Sequence, residues 1–158
     1  MAAGVAAHGP IHALVNNAAI LGPRVPLAGY PEAAWREVLD VNVNGTFVVT
    51  RAALPHMVRP GGLLLHLSSY VGRHALPGYG AYGVSKAAVE LFAAELAEEH
   101  RAEGLVSCAL EPGMVETDML REAVGQAGAG APVEDAARAI ARLLVTLEFE
   151  DSGRPLIL

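Results

Sequence analysis

The fold class this sequence predicts is a doubly wound α/β sheet, and three observations predict it. Short, nearly unbroken apolar runs begin at residues 11 (IHALVNN), 63 (LLLHLSS) and 105 (LVSCALEPG). Between them lie segments whose apolar residues recur at threes and fours, and Gly/Pro clusters separate the two kinds. Strands that are apolar on both faces, alternating with amphipathic helices, belong in a parallel sheet covered on both sides. Right-handed crossovers then place the helices on both faces.

Each element follows from its own residues. The first run closes on Asn16 and Asn17, a strand with its exit turn, and the Gly/Pro-rich stretch 18–31 is a loop. From Glu32 to about Val58, the residues Trp35, Val38, Leu39, Asn42, Phe47, Val49, Ala53 and Met57 keep a helical period until RPGG stops it. LLLHLSS is the second strand and 70–80 a loop. A long helix follows, with Val84, Ala88, Leu91, Phe92 and Leu96 on one side, acids on the other, and Gly104 as its cap. The third strand leads to a short helix around TDMLREAV. GQAGAGAP is flexible by composition, VEDAARAIARLLVTL is a final helix and RPLIL a last strand. With no repeat or linker, residues 1–158 read as a single domain.

Composition narrows the function. Apolar residues make up 53% and charged residues 18% of the chain, so it should pack into a core. No apolar run is long enough to span a bilayer, and the first ten residues lack a basic start and a long apolar stretch, so neither a membrane segment nor a signal peptide is expected. A net charge of -6 argues against non-specific nucleic-acid binding. The lone Cys108 sits in an apolar run, reads as a small buried residue, and fits the cytoplasm. The six histidines are scattered, none at ligand spacing with Cys, Asp or Glu, so no metal is expected.

The segment GYGAYGVSK (78–86) admits two readings. Gly78, Gly80 and Gly83 spell G-x-G-x-x-G, a pyrophosphate fingerprint, but that loop must leave a strand directly. Gly78 lies nine positions beyond Ser69, and Tyr79 and Tyr82 are bulky where a backbone has to approach phosphate. In the second reading, Tyr82 and Lys86 share one helical face four residues apart. A free phenol titrates near pH 10, and an adjacent ammonium lowers that value toward the range useful for proton exchange. Ser69, at the carboxyl end of a strand, is placed to hold a substrate oxygen beside the phenol.

The motifs LVNNAA, LDVNVNG, LSS with YGVSK, and EPGMVETDM, in this order and spacing, resemble the short-chain dehydrogenase/reductase family from about residue 9 to the end. The resemblance implies a Rossmann-like fold and an NAD(P)-dependent interconversion of a secondary alcohol and a ketone. The family's Ser precedes its Tyr by thirteen positions, which selects Ser69 over Ser68. By resemblance, Ser69 positions the substrate oxygen, Tyr82 exchanges the proton, and Lys86 lowers the tyrosine's pKa and bonds the nicotinamide ribose. Asn42 holds a helix kink and a proton-relaying water. Asn16 to Ala19 match the family's NNAG, with Ala19 in place of Gly; they steady the sheet and line the cofactor cleft, Asn16 and Ala18 among them. Pro112, Gly113, Val115 and Thr117 match the segment that meets the nicotinamide. Each residue also has a structural reading. Asn42 could be a satisfied polar group, Ser69 a turn residue, Tyr82 and Lys86 a cap and a solvated charge, and Thr117 a helix N-cap.

The family pattern opens with a strand, a T-G-x-x-x-G-x-G loop and two further βα units, and this chain starts at roughly the fourth strand. The expectation is therefore an N-terminally truncated sheet of about four strands, with NAD or NADP as implied cofactor but held weakly by these residues alone. Its first strand should be an apolar edge, favouring homo-oligomers. The alternative is a non-catalytic member serving as a dimerising or binding module through the helices at 32–58 and 82–103. The substrate's identity, NAD against NADP, and the reaction direction are not written in the motifs. Segment 114–131 suggests a roomy, mobile pocket and no chemical class.

Overall fold

The structure is a computed structural model and describes residues 2–125 and 128–158. Four parallel strands, β1 (Ala13–Asn16), β2 (Leu63–Leu67), β3 (Val106–Glu111) and β4 (Pro155–Ile157), lie in the order β1-β2-β3-β4. The described residues also form six α-helices, α1 (Ala2–His8), α2 (Glu32–Leu39), α3 (Thr46–Ala53), α4 (Gly80–Glu99), α5 (Asp118–Val124) and α6 (Val133–Thr146). Every residue of β2 and β3 is buried, as their continuous apolar runs require. Alternate residues face opposite sides. Leu63, Leu65, Leu67, Val106, Cys108 and Leu110 pack under Ile140, Leu143 and Leu144 of α6. Leu64 and Leu105 pack on the other side with Ala53, Met57, Leu96 and Phe92. Cys108 donates to the Asp151 carbonyl at 3.3 Å, and burial pushes its thiol up to about 11, so it is a structural residue.

Three features differ from the sequence expectation. The helix that the apolar period carries unbroken over 32–58 is interrupted by a π-helical turn, Asp40–Gly45, between α2 and α3, where the resemblance implied a kink at Asn42. The turn turns Asn42 inward, where it is 1% exposed, and the Thr46 hydroxyl donates to the Asn42 carbonyl at 2.8 Å. The acids of α4 are not all outside: Glu95, Glu98 and Glu99 are exposed, but Glu90 is turned inward. Helix α1 has no counterpart in the sequence reading. GQAGAGAP is described apart from residues 126 and 127, which lie outside the described residues. Its end is tied down, because Ala131 exchanges backbone bonds with Met114 and Glu116.

Strand β1 stands at the sheet edge with Ala13 and Val15 exposed, as expected. Among the described residues, no helix is long and apolar enough to cross a membrane.

Candidate active site

A cleft of about 780 Å³ opens where the carboxyl ends of β1, β2 and β3 meet α4, α5 and α6. Ser69 leaves β2 in an extended conformation and starts a tight turn, Tyr70–Gly72, that lies on the first turns of α4. Glycines permit that approach. A Cβ at Gly83 would sit 2.9 Å from the Val71 carbonyl, and one at Gly72 would sit 3.1 Å from the Lys86 backbone. Of the glycines in the G-x-G-x-x-G string, Gly83 serves this helix-to-turn packing, while Gly80 abuts Leu27 and Gly78 abuts Arg24.

The close approach joins the three residues that the spacing pairs. Ser69, Tyr82 and Lys86 line the cleft together, and Ser69 is near enough to the phenol to favour its ionised form. Lys86 Nζ donates to the Leu67 carbonyl at 2.7 Å and stands 5.5 Å from the Tyr82 ring centroid, over the ring. Burial pushes this amine down to about 8. The phenol differs from the expectation of a lowered pKa. Burial raises it above its ordinary value, opposed by the neighbouring Ser69 side chain, with Tyr79 adding to the rise. The ammonium is bonded to a backbone carbonyl and stands over the ring, and desolvation is the largest influence on the phenol.

The other candidates divide. Ala18, Pro112, Gly113, Val115 and Thr117 line the cleft. Thr117 is also the α5 N-cap, accepting from Leu120 N–H at 3.1 Å, so the cap is compatible with its place in the cleft. Asn42 stands behind the wall. Its Oδ1 accepts from Ile20 N–H at 2.8 Å, and its Nδ2 donates to Ile20 O at 3.0 Å and to Ser85 Oγ at 2.9 Å. That amide ties the loop after β1 to α4 across the kink. Both N–H groups and the oxygen are engaged, which leaves a relay through this side chain without a free donor. Asn16 departs from its expected place at the cofactor cleft. Strand alternation sends its amide to the other face, to Thr50 Oγ1 at 2.9 Å and His66 Nδ1 at 3.1 Å. Its neighbours Asn17, Ala18 and Ala19 line the cleft instead. His66 is fully buried, edge-on to Phe92, and held down to about 4 by burial.

Sequence reasoning missed a charged network beneath the cleft. Arg73, just past the Ser69 turn, donates to Glu90 of α4 at 2.7 Å and to Glu111 at the end of β3. Ser68 Oγ also donates to Glu90, at 2.6 Å. Residues on both sides of Ser69 are thereby fixed to the helix that carries Tyr82. One signal was available: Tyr82, Lys86 and Glu90 are spaced by four, so all three share the cleft side of α4. At the rim, Arg24 donates to the Ala123 carbonyl in the last turn of α5, and its guanidinium lies 4.2 Å over the Tyr79 ring.

The model of the short chain dehydrogenase family matches residues 1–127. The chain belongs to that family. It is 37% identical over 130 residues to a short-chain type dehydrogenase/reductase of Picea abies, covering 81% of this chain and 48% of that protein. The chain thus spans about half the length of such curated relatives. A solved short chain dehydrogenase from Pseudomonas syringae superposes with a TM-score of 0.89 at 31% identity, covering 99% of this chain and 65% of its own. One from Shigella flexneri, complexed with NADP, superposes with a TM-score of 0.86 at 26% identity over 99% of this chain and 66% of its own. The family and the Rossmann-like architecture expected from the motifs are thereby both established.

Proposed function

We propose that the cleft binds a ketone or secondary alcohol and exchanges a proton with it through Tyr82, in an NAD(P)-dependent oxidoreduction. The observation that carries this reading is the placing of the Ser69 and Tyr82 hydroxyls in one cleft, with Lys86 over the ring, at the carboxyl end of a parallel sheet. Ser69 offers a hydroxyl to the substrate oxygen, and Tyr82 offers the proton. Because burial raises the phenol's pKa, Tyr82 is protonated at neutral pH, the form that donates to a carbonyl. Asn42 and the Arg73 network hold the walls that set this geometry.

The cleft residues fit a nicotinamide. Ala18, Ala19 and Gly113 are small, and a Cβ at Gly113 would meet open space, so a flat ring has room beside Tyr82. Lys86 would hold the ribose, and the cofactor, when bound, supplies or accepts the hydride. The NADP in the Shigella neighbour supports this choice of cofactor. In our reading these 158 residues alone bind NAD(P)H weakly, and titration showing low-micromolar affinity would contradict that.

In an enzyme completed with a nucleotide-binding half, Tyr82→Phe should abolish ketone reduction while leaving cofactor affinity close to that of the parent. Near-normal turnover would remove Tyr82 from the chemistry. A second reading, a module used for association, draws on the exposed apolar side chains Phe47, Val48 and Leu91 of α3 and α4. It is compatible with the first.

A further inference from the structure

We propose that the substrate is an uncharged carbonyl compound with a largely apolar body, bound against α5 and α6. The inference rests on the oxidoreductase reading for the position of the carbonyl, and on the cleft's own chemistry for the rest of the molecule. Away from Ser69 and Tyr82, the walls are Leu76, Met114, Leu120, Val124, Val133 and Ile140. Apolar surface of this kind favours an apolar partner by the area it removes from water.

The charges settle the class. Among the described residues that line the cleft, the charged ones are Lys86 and Glu111. Lys86 is 4% exposed, faces the Tyr82 ring and already donates to the Leu67 carbonyl. Glu111 and Glu90 share the single guanidinium of Arg73, so two carboxylates and one cation stand beside the floor. Arg24, beside the lining residues Ala123 and Tyr79, donates to the last-turn carbonyl of Ala123 and lies over the face of Tyr79. Such a carbonyl is one of the groups a helix leaves unsatisfied, so the guanidinium is held there. A carboxylate or phosphate entering the cleft would lose its water and meet Glu111, while the remaining N–H groups of Lys86 lie buried over the Tyr82 ring, where our reading assigns them to the ribose, a penalty that disfavours anions. A neutral ring system loses little on entry.

The test is ligand-observed NMR titration of the chain with tetralone, a neutral bicyclic ketone, and with its ring-carboxylated analogue. Tetralone should bind, and more tightly than the analogue by about tenfold or more. Met114→Lys, at a half-exposed cleft position whose replacement disturbs no core, should narrow that preference by giving the carboxylate a partner. Equal or tighter binding of the carboxylated analogue, no binding of tetralone, or a preference unmoved by Met114→Lys would each overturn the inference. Failure of the oxidoreductase reading is a separate outcome: turnover surviving Tyr82→Phe would sink that reading and leave the ligand preference untouched.

Discussion

Replacing Arg73 with Met removes the cation shared by Glu90 and Glu111 and keeps the apolar stem of the side chain. Both carboxylates would then face each other with only the Ser68 hydroxyl as donor to one of them. Stranding fully buried charges costs roughly 3–5 kcal/mol. Here the side chains of Arg73, Glu90 and Glu111 are 24%, 15% and 11% exposed, so water recovers part of that. We expect a loss of about 2–4 kcal/mol. For a domain of this size that is a fall in Tm of roughly 5–15 °C. Urea denaturation followed by circular dichroism should show a lower midpoint with an unchanged slope. Adding Glu111→Gln to Arg73→Met should restore about half of the loss, because one of the two stranded charges has gone and Glu90 keeps the Ser68 donor, and the double-mutant cycle isolates that coupling. A loss under about 0.5 kcal/mol would place the network with ordinary surface ion pairs and refute its role in fixing the Ser69 turn.

Three further outcomes follow from burial and exposure. His66 has its folded pKa lowered to about 4. Between pH 6.5 and 4 the unfolded chain therefore binds a proton that the native state refuses. Stability should fall by up to about 3 kcal/mol as pH drops through that window, and His66→Gln should flatten the slope in denaturation series at several pH values. Lys86 is lowered to about 8 by burial, so its charge costs stability below pH 8, and that cost fades as pH rises toward 10.5. Lys86→Met should be the more stable protein at pH 7, by about 3 kcal/mol, with the gap closing in alkali; an equal gap at both ends would contradict this. The exposed face of α3 and α4, with the uncovered edge at β1, should associate chains into a homodimer. Light scattering that returns the monomer mass at every concentration would count against it.

Much of the architecture was legible because it is local. The runs at 63–67 and 106–111 are apolar on both faces and proved buried on both. The i, i+4 spacing of Tyr82 and Lys86 correctly put both on the cleft side of α4. What stayed hidden depends on partners distant in sequence. Asn16 lies in a strand of four residues, too short for its pattern to say which face its amide would take. The turn at 40–45 preserves an apolar rhythm close to that of an α-helix, while Asn42's partners are Ile20 and Ser85. Arg73 meets Glu90 and Glu111 across 17 and 38 residues, beyond any periodicity. The phenol's pKa depends on where the ammonium points, which spacing alone does not specify.

The central claim is that the Ser69 and Tyr82 hydroxyls together receive a substrate carbonyl in this cleft. Tetralone labelled at its carbonyl carbon reports it directly, since hydrogen bonding to the oxygen moves that carbon's resonance downfield. Bound to the parent chain, the resonance should shift downfield. In the Ser69→Ala, Tyr82→Phe double variant, bound tetralone should show the resonance it has in an apolar solvent. An identical resonance in the two proteins would contradict the account.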